Sequence, residues 1–273
     1  MTTEEELRAT ATALEESVAV VGWGETGVDI ADRFGGDAAD AVVVAADFRS
    51  PVETRFPALP SAPLRIGIVS LPERPTAADR SALRRLDDAV DAVVVAPRAA
   101  AGDDTLDAAV TTFVGMVRGS GFVNLDLADA RTVLGTGGLA VLGEAEGALR
   151  SAAETVDDAF GATAAGFELG TADGVLLEIV SGPSLSVDAV DRAISAVRDR
   201  VGVEPHLIWG GSIEEALGDQ LRAVVVVAGV EDRRFADGDD CPRCGAALSA
   251  YSFGDRRTIA CDDCGYAGVT VSL

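Results

Sequence analysis

Three groups of residues in this chain have types and spacings that could do chemistry. Asn124, Asp126 and Asp129 form N-x-D-x-x-D within GFVNLDLADARTVL, residues 121–134. Two carboxylates and an amide gathered here offer negative charge and hydrogen-bonding groups that a reaction could use, although the spacing alone names no reaction. The same spacing also suits a helix N-terminus, where aspartates satisfy free backbone N–H groups. Gly22, Trp23, Gly24 and Gly27 lie in GWGETG. This is a G-x-G-x-x-G turn, which lets backbone N–H groups approach a phosphate at a helix start. Cys241, Cys244, Cys261 and Cys264 read C-x2-C-x16-C-x2-C and are all the cysteines of the chain. Two such turns place four thiolates around Zn²⁺ in the closed, structural arrangement, with no open position for catalysis.

The elements that must hold these groups follow from the apolar pattern. The run 17–21 (SVAVV) precedes the glycine turn, helical spacing covers 28–34, and a second run at 41–46 ends on Asp47. An acid about 20 residues beyond a strand–glycine–helix unit also matches a dinucleotide-binding fingerprint, and a tight strand-to-helix turn without a ligand gives the same pattern. Further strands are expected at 64–70 and 91–96, with a helix at 75–90 between them. A mostly apolar helix at 105–118 then leads into the Asn124–Asp129 loop. Strands alternating with helices indicate a parallel sheet covered on both faces. Beyond the loop, strands at 138–143, 173–180, 205–210 and 222–229 and helices at 148–160 and 186–201 suggest an α+β sandwich. The N-terminal segment 3–16 reads as an amphipathic helix with Thr3 and Glu6 as a capping box. Residues 231–240 read as a charged linker, and His206 reads as structural rather than as a ligand.

Composition narrows the functions. The 273 residues carry a formal net charge of -23, and all 22 side chains counted as Lys or Arg are arginine. Without lysine the Walker A motif cannot occur, which excludes a standard P-loop NTPase. An acidic surface argues against general nucleic-acid binding and suits a salt-rich cytoplasm that screens self-repulsion. No apolar run approaches the ~20 residues of a membrane span, and the start MTTEEELRAT lacks the positive region of a signal peptide. The expected setting is cytoplasmic.

Several segments taken in order resemble the FtsZ/tubulin family: VVGWGETGVDIADRF, LRIGIVSLP, DAVVVAP, GFVNLDLADARTVL, GLAVLGEAEGALRSAAE, ADGVLLEIVSGPSLSVDAVDRAISAVRDRVG and LRAVVVVAGVE. The resemblance covers nearly all of 17–231, is densest after Gly121, and together with the acidic composition points to a salt-loving archaeon. It implies an α/β fold with a Rossmann-like GTPase domain and central helix (1–130) and an α+β second domain of four strands and two helices (131–232), to which the cysteine spacing adds a linker with zinc ribbon (233–273). It further implies GTP or GDP at Gly22, Trp23, Gly24 and Gly27. The loop bearing Asn124, Asp126 and Asp129 would reach the γ-phosphate of a neighbouring subunit in a filament. Asp126 and Asp129 would position the water, and Asn124 would shape the loop and contact nucleotide.

The departures from the family pattern carry as much meaning. Trp23, Glu25 and Thr26 interrupt the first glycine loop, and Glu25 sets a negative charge where phosphates would lie. The signature G-G-G-T-G-[ST]-G has no counterpart ahead of the central helix, where residues 99–104 read AAAGDD; Leu134-Gly135-Thr136-Gly137-Gly138 lies beyond the loop and reads as an entry to the next strand. Two functions from different classes follow. One is an accessory of cell division or cell shape that touches FtsZ-type subunits or other division proteins and binds GTP weakly or not at all. The other is an active GTP-hydrolysing, polymer-forming homologue and homo-oligomer. A nicotinamide-binding Rossmann protein is the third reading. In all of them structural Zn²⁺ folds the C-terminal ribbon, which is too small to fold on its apolar residues alone.

Overall fold

The computed structural model describes residues 17–34, 40–50, 55–72, 76–97, 105–119, 121–135, 138–164, 166–170, 172–201, 205–232, 237–241, 244–253, 256–265 and 267–272. The helix expected at 3–16, the segment 99–104, and Thr136 and Gly137 lie outside these residues.

The apolar runs become strands, and their continuous hydrophobicity has a simple cause: both faces are covered. The strands β1 (Val18–Trp23), β2 (Ala41–Asp47), β3 (Leu64–Ser70) and β4 (Ala92–Val95) pair in parallel, in register from Val18↔Ala41 to Trp23↔Ala46 and from Ala41↔Leu64 to Asp47↔Ser70. Alternate side chains of this sheet meet different layers. Val43, Ile66, Ile68 and Val94 join one buried cluster, and Val42, Val44, Val93 and Val95 join the other. A strand buried on both faces reads as a solid Val/Ile run because neither side chain set faces water.

The connections are α1 (Glu25–Phe34), α2 (Ala77–Asp87) and α3 (Thr105–Arg118). Thr76 caps α2 in a capping box with Asp79, so this helix starts after the expected Pro75. In α3 the residues Leu106, Val110, Phe113 and Met116 are buried against β2 and β3, as an apolar helix on a sheet requires. A short helix α4 (Leu127–Leu134) follows and buries Leu127, Ala130, Val133 and Leu134.

The second half consists of β5 (Leu139–Ala148), α5 (Ala152–Ala162), the short β6 (Phe167–Glu168), β7 (Gly174–Ser181), α6 (Val187–Arg200), β8 (His206–Ile213) and β9 (Gln220–Ala228). Four long strands and two helices are present, but they do not form a separate sandwich. β5 pairs in parallel with β4 (Val93↔Leu139 to Val95↔Val141), so one sheet of eight strands runs in the order β1-β2-β3-β4-β5-β9-β7-β8. Only β9 runs against its neighbours. The helices α1, α3 and α4 cover one face; α2, α5 and α6 cover the other. This three-layer, parallel-dominated arrangement is the mixed α/β fold that the alternating pattern indicates.

Two residues of the expected linker form β10 (Glu231–Asp232), which pairs with β6. The ribbon is an antiparallel sheet of β11 (Ser249–Phe253), β12 (Arg256–Ala260) and β13 (Ala267–Ser272), with Cys241, Leu248, Ile259 and Cys261 buried together; β13 lies against β10.

Candidate functional site

The glycine turn is a single residue long. β1 runs through Gly22 and Trp23, one residue (Gly24, φ 82°) turns the chain, and α1 begins at Glu25. The positive φ explains Gly24, because an L side chain there is strained. Gly22 and Gly27 have another reason. A Cβ on Gly22 would lie 2.3 Å from Gly27 C and Val28 N, and one on Gly27 would lie 2.2 Å from Ala45 O. Both glycines are therefore used by the close approach of α1 to β1 and β2. The Trp23 side chain is 1% exposed and packs edge-on against Phe48 and Phe56, with the Arg85 guanidinium 5.3 Å from its ring, and the residue also lines the cleft beside the turn. Glu25 stands exposed in the first turn of α1, where a carboxylate already complements the positive end of the helix dipole. A cleft of 220 Å³ opens beside Gly22, Gly24 and Val28, with Arg55 and Phe56 on its other wall. Asp47 is 8% exposed and receives two prongs from Arg49, Nε to Oδ1 at 2.9 Å and Nη2 to Oδ2 at 3.0 Å.

The carboxylate loop stands beside the other edge of the sheet. Asp126 is the N-cap of α4. Its Oδ1 accepts from the Asp129 backbone N at 2.9 Å, and Asp129 Oδ2 accepts from the Asp126 N at 3.1 Å. This reciprocal box satisfies two otherwise free donors and engages one oxygen of each carboxylate. Asn124 Oδ1 accepts from the Gly121 N at 2.7 Å and closes the loop on itself. Val123 exchanges both backbone bonds with Gly211 of β8 (3.2 and 2.8 Å), so the loop is laid along that edge strand. Asn124 and Asp126 are exposed, and Asp129 is partly buried.

Below the loop, Glu178, Met116, Leu125 and Gly210 line a small crevice. Burial raises the Glu178 carboxyl above its ordinary value; Arg222 opposes this and Glu144 adds to it. Arg222 approaches Glu144 at 3.7 Å and Glu214 at 3.4 Å, and Thr112 of α3 donates to Glu144 at 2.9 Å.

The two groups are far apart. The glycine turn ends β1, and the carboxylate loop bridges to β8, at opposite ends of the strand order. At about 4.8 Å per strand spacing the separation across the sheet is roughly 30 Å. One chain cannot bring both groups to one nucleotide.

All four cysteines come together, with their ligand atoms within 4.8 Å of one another. The closest sulfurs are Cys244–Cys261 at 3.4 Å and Cys241–Cys264 at 3.6 Å. Four sulfurs at about 2.3 Å from Zn²⁺ in a tetrahedron stand about 3.8 Å apart, so this donor set fits the ion. Gly245 and Gly265, each following a C-x2-C pair, have φ of 80° and 69°, the turn that folds each knuckle. His206 is remote from this cluster, opening β8 as an exposed residue.

The sequence reading did not single out Phe122, Trp209, Gly210 and Gly211. A glycine pair inside a strand pattern was the available signal, since it marks a close backbone approach.

Residues 137–231 match the FtsZ family, C-terminal domain, and residues 227–267 match a transposase zinc-ribbon domain. The cell division protein FtsZ 1 of Halobacterium salinarum is 32% identical over 166 residues, 55% of this chain and 42% of that protein. FtsZ of Haloferax mediterranei is 30% identical over 148 residues, 54% of this chain and 39% of that protein. These matches span less than half the length of either relative. Among solved structures, an empty FtsZ dimer from M. jannaschii aligns with a TM-score of 0.66 at 18% identity, over 86% of this chain and 98% of that one. CetZ2 from Haloferax volcanii, in a GTPgS-bound protofilament, aligns with a TM-score of 0.56 at 18% identity, over 85% of this chain and 72% of that one. These structural likenesses speak to fold, and the haloarchaeal relatives accord with the acidic, lysine-free composition. Residues 137–231 are thus similar in sequence to the C-terminal domain of the FtsZ family, and the fold around them is similar to that of FtsZ and CetZ structures.

Proposed function

We propose that this chain is an FtsZ-like accessory of cell division or cell shape, which meets FtsZ-type filaments through its carboxylate loop and binds GTP weakly or not at all. One contrast carries the reading. Gly22 and Gly27 are consumed by helix packing and Glu25 occupies the helix start, whereas Asn124 and Asp126 stand exposed beside an exposed Phe122. A subunit built this way offers a carboxylate face to the nucleotide of a genuine FtsZ subunit, but no competent nucleotide face to the next one. Large apolar side chains exposed near the loop, Phe122 at 55% and Ile213 at 47%, supply the contact area a docking face needs. In this reading Zn²⁺ on Cys241, Cys244, Cys261 and Cys264 staples the ribbon and takes no part in chemistry.

A second reading, an active polymer-forming GTPase, is favoured by the cleft beside Gly24, where Arg55 gives a phosphate a cation. A nicotinamide site is disfavoured, because the acid that would accept a ribose hydroxyl, Asp47, is already gripped by Arg49.

The test combines equilibrium GTP binding with a mixing experiment. A haloarchaeal FtsZ polymerised with GTP in molar KCl should change its polymer mass or its rate of phosphate release when this protein is added at a substoichiometric ratio. Tight GTP binding by the chain alone, with no effect on the FtsZ, would move the assignment to the second reading.

A further inference from the structure

Two adjacent glycines in the middle of a strand are costly, because each loses more backbone freedom than any other residue and offers no side chain to pack. β8 nonetheless carries Gly210 and Gly211 between Trp209 and Ser212. Their surroundings give the reason. A Cβ on Gly210 would stand 2.6 Å from Leu125 Cγ, and a Cβ on Gly211 would stand 2.6 Å from Phe122 Cζ. From the other side, a Cβ on Gly121 would stand 2.1 Å from Gly211 O. The segment 121–125 therefore lies directly on the backbone of these two residues. It is held there by the Val123–Gly211 bridge and by Leu125, which is 4% exposed. The Phe122 ring covers Gly211 and meets Trp209 edge-on at 6.5 Å between centroids.

We infer that Gly210 and Gly211 are positioning residues for the carboxylate loop: they form a flat seat that fixes where Asn124, Asp126 and Asp129 stand, with the Phe122 ring lying over Gly211 where a side chain would otherwise be. The role as a seat rests on the reading of that loop as the element that meets the filament, but the seat itself can be measured without any partner. Distance along the chain supports the assignment. Asp126 is only three residues beyond the Val123 bridge, so a shift of that bridge carries the N-cap of α4 with it, whereas nothing else bonds segment 121–125 to β8 among the described residues.

The experiment uses the full zinc-loaded chain. Gly211→Ala should speed amide hydrogen exchange at Val123 at least tenfold and change the Trp209 emission, while the exchange of buried β2 amides stays as in the parent chain. Trp23, the other tryptophan, is buried away from the loop and is replaced by Phe in both proteins so that emission reports Trp209 alone. Gly211→Ala combined with Phe122→Ala removes the atom that the new Cβ meets, and should return Val123 exchange to within about threefold of the parent. Unchanged Val123 exchange in Gly211→Ala, or no recovery in the double variant, would overturn the seat; so would a double variant that fails to fold, since the pair would then serve the fold as a whole. On the filament side, Gly211→Ala should lose the effect on FtsZ phosphate release. If the loop loosens and that effect persists, the seat stands and the filament reading falls.

Discussion

Replacing Asp126 in two ways separates a cap from a catalytic-type carboxylate. The side chain is the N-cap of α4, accepting from the Asp129 N at 2.9 Å. Asn caps as well as Asp, so Asp126→Asn keeps that bond and removes only the charge, whereas Asp126→Ala removes both and costs about 1 kcal/mol. For a chain of this size 1 kcal/mol is worth roughly 2–4 °C in Tm. Thermal unfolding in molar KCl should therefore show Asp126→Ala lowered by about 2–4 °C and Asp126→Asn within about 1 °C of the parent. The assay is phosphate release by a haloarchaeal FtsZ with GTP and a substoichiometric amount of each variant. A carboxylate that meets the neighbouring nucleotide acts by its charge, so the effect should fall at least tenfold in both variants, although only one is destabilised. The reasoning is refuted if Asp126→Asn retains the full effect and Asp126→Ala loses it in step with its Tm, because the aspartate would then be a helix cap and nothing more.

Three other outcomes follow from the geometry. Gly27→Ala drives a Cβ to 2.2 Å from Ala45 O, a backbone clash that cannot be relieved by a rotamer change, so unfolding should move down by about 3 kcal/mol, read as a lowered Tm; no change would mean that α1 is not seated as described. Chelation, or Cys244→Ser, should release one equivalent of Zn²⁺ and abolish exchange protection in β11–β13 while leaving that of β2 and β3 intact; a ribbon protected without metal would remove its role as a staple. Glu178 is raised by burial, so its ionised form opposes folding above its folded pKa, and this penalty fades as pH falls through that value towards the unfolded one. Glu178→Gln should accordingly raise Tm at pH 7, with the gain shrinking towards pH 4; a gain that is constant across this range would assign the effect to packing.

Much of the sheet could be read from local pattern. β3 (64–70) and α3 (105–118) occupy the residues that apolar runs and helical spacing indicate, and the Asp126–Asp129 spacing gives the capping box directly. What escaped is long-range. Nothing within 91–96 or 138–143 says that these strands pair with each other, so a separate sandwich was the natural expectation for the second half. G-x-G-x-x-G is equally silent on purpose. Gly22 and Gly27 serve the close packing of α1, since Ala45 O and Val28 N stand where a side chain would go, a long-range contact that the motif does not announce. Trp23 sits in the same motif, but strand alternation turns it into the core. Among the site residues the cysteines were the most legible, because metal geometry constrains both identity and spacing.

The β4–β5 ladder has a mechanical consequence. Where two lobes of a protein are joined by a hinge, ligand state can be stored as an angle between them. Here Val93–Val95 and Leu139–Val141 are stitched edge to edge, and Val94, Ala96, Ala140 and Leu142 share one apolar cluster across that line. Any rotation of one lobe against the other would tear hydrogen bonds and open the cluster to water. The two halves of the sheet are therefore tied to each other in stability through this ladder and its shared cluster.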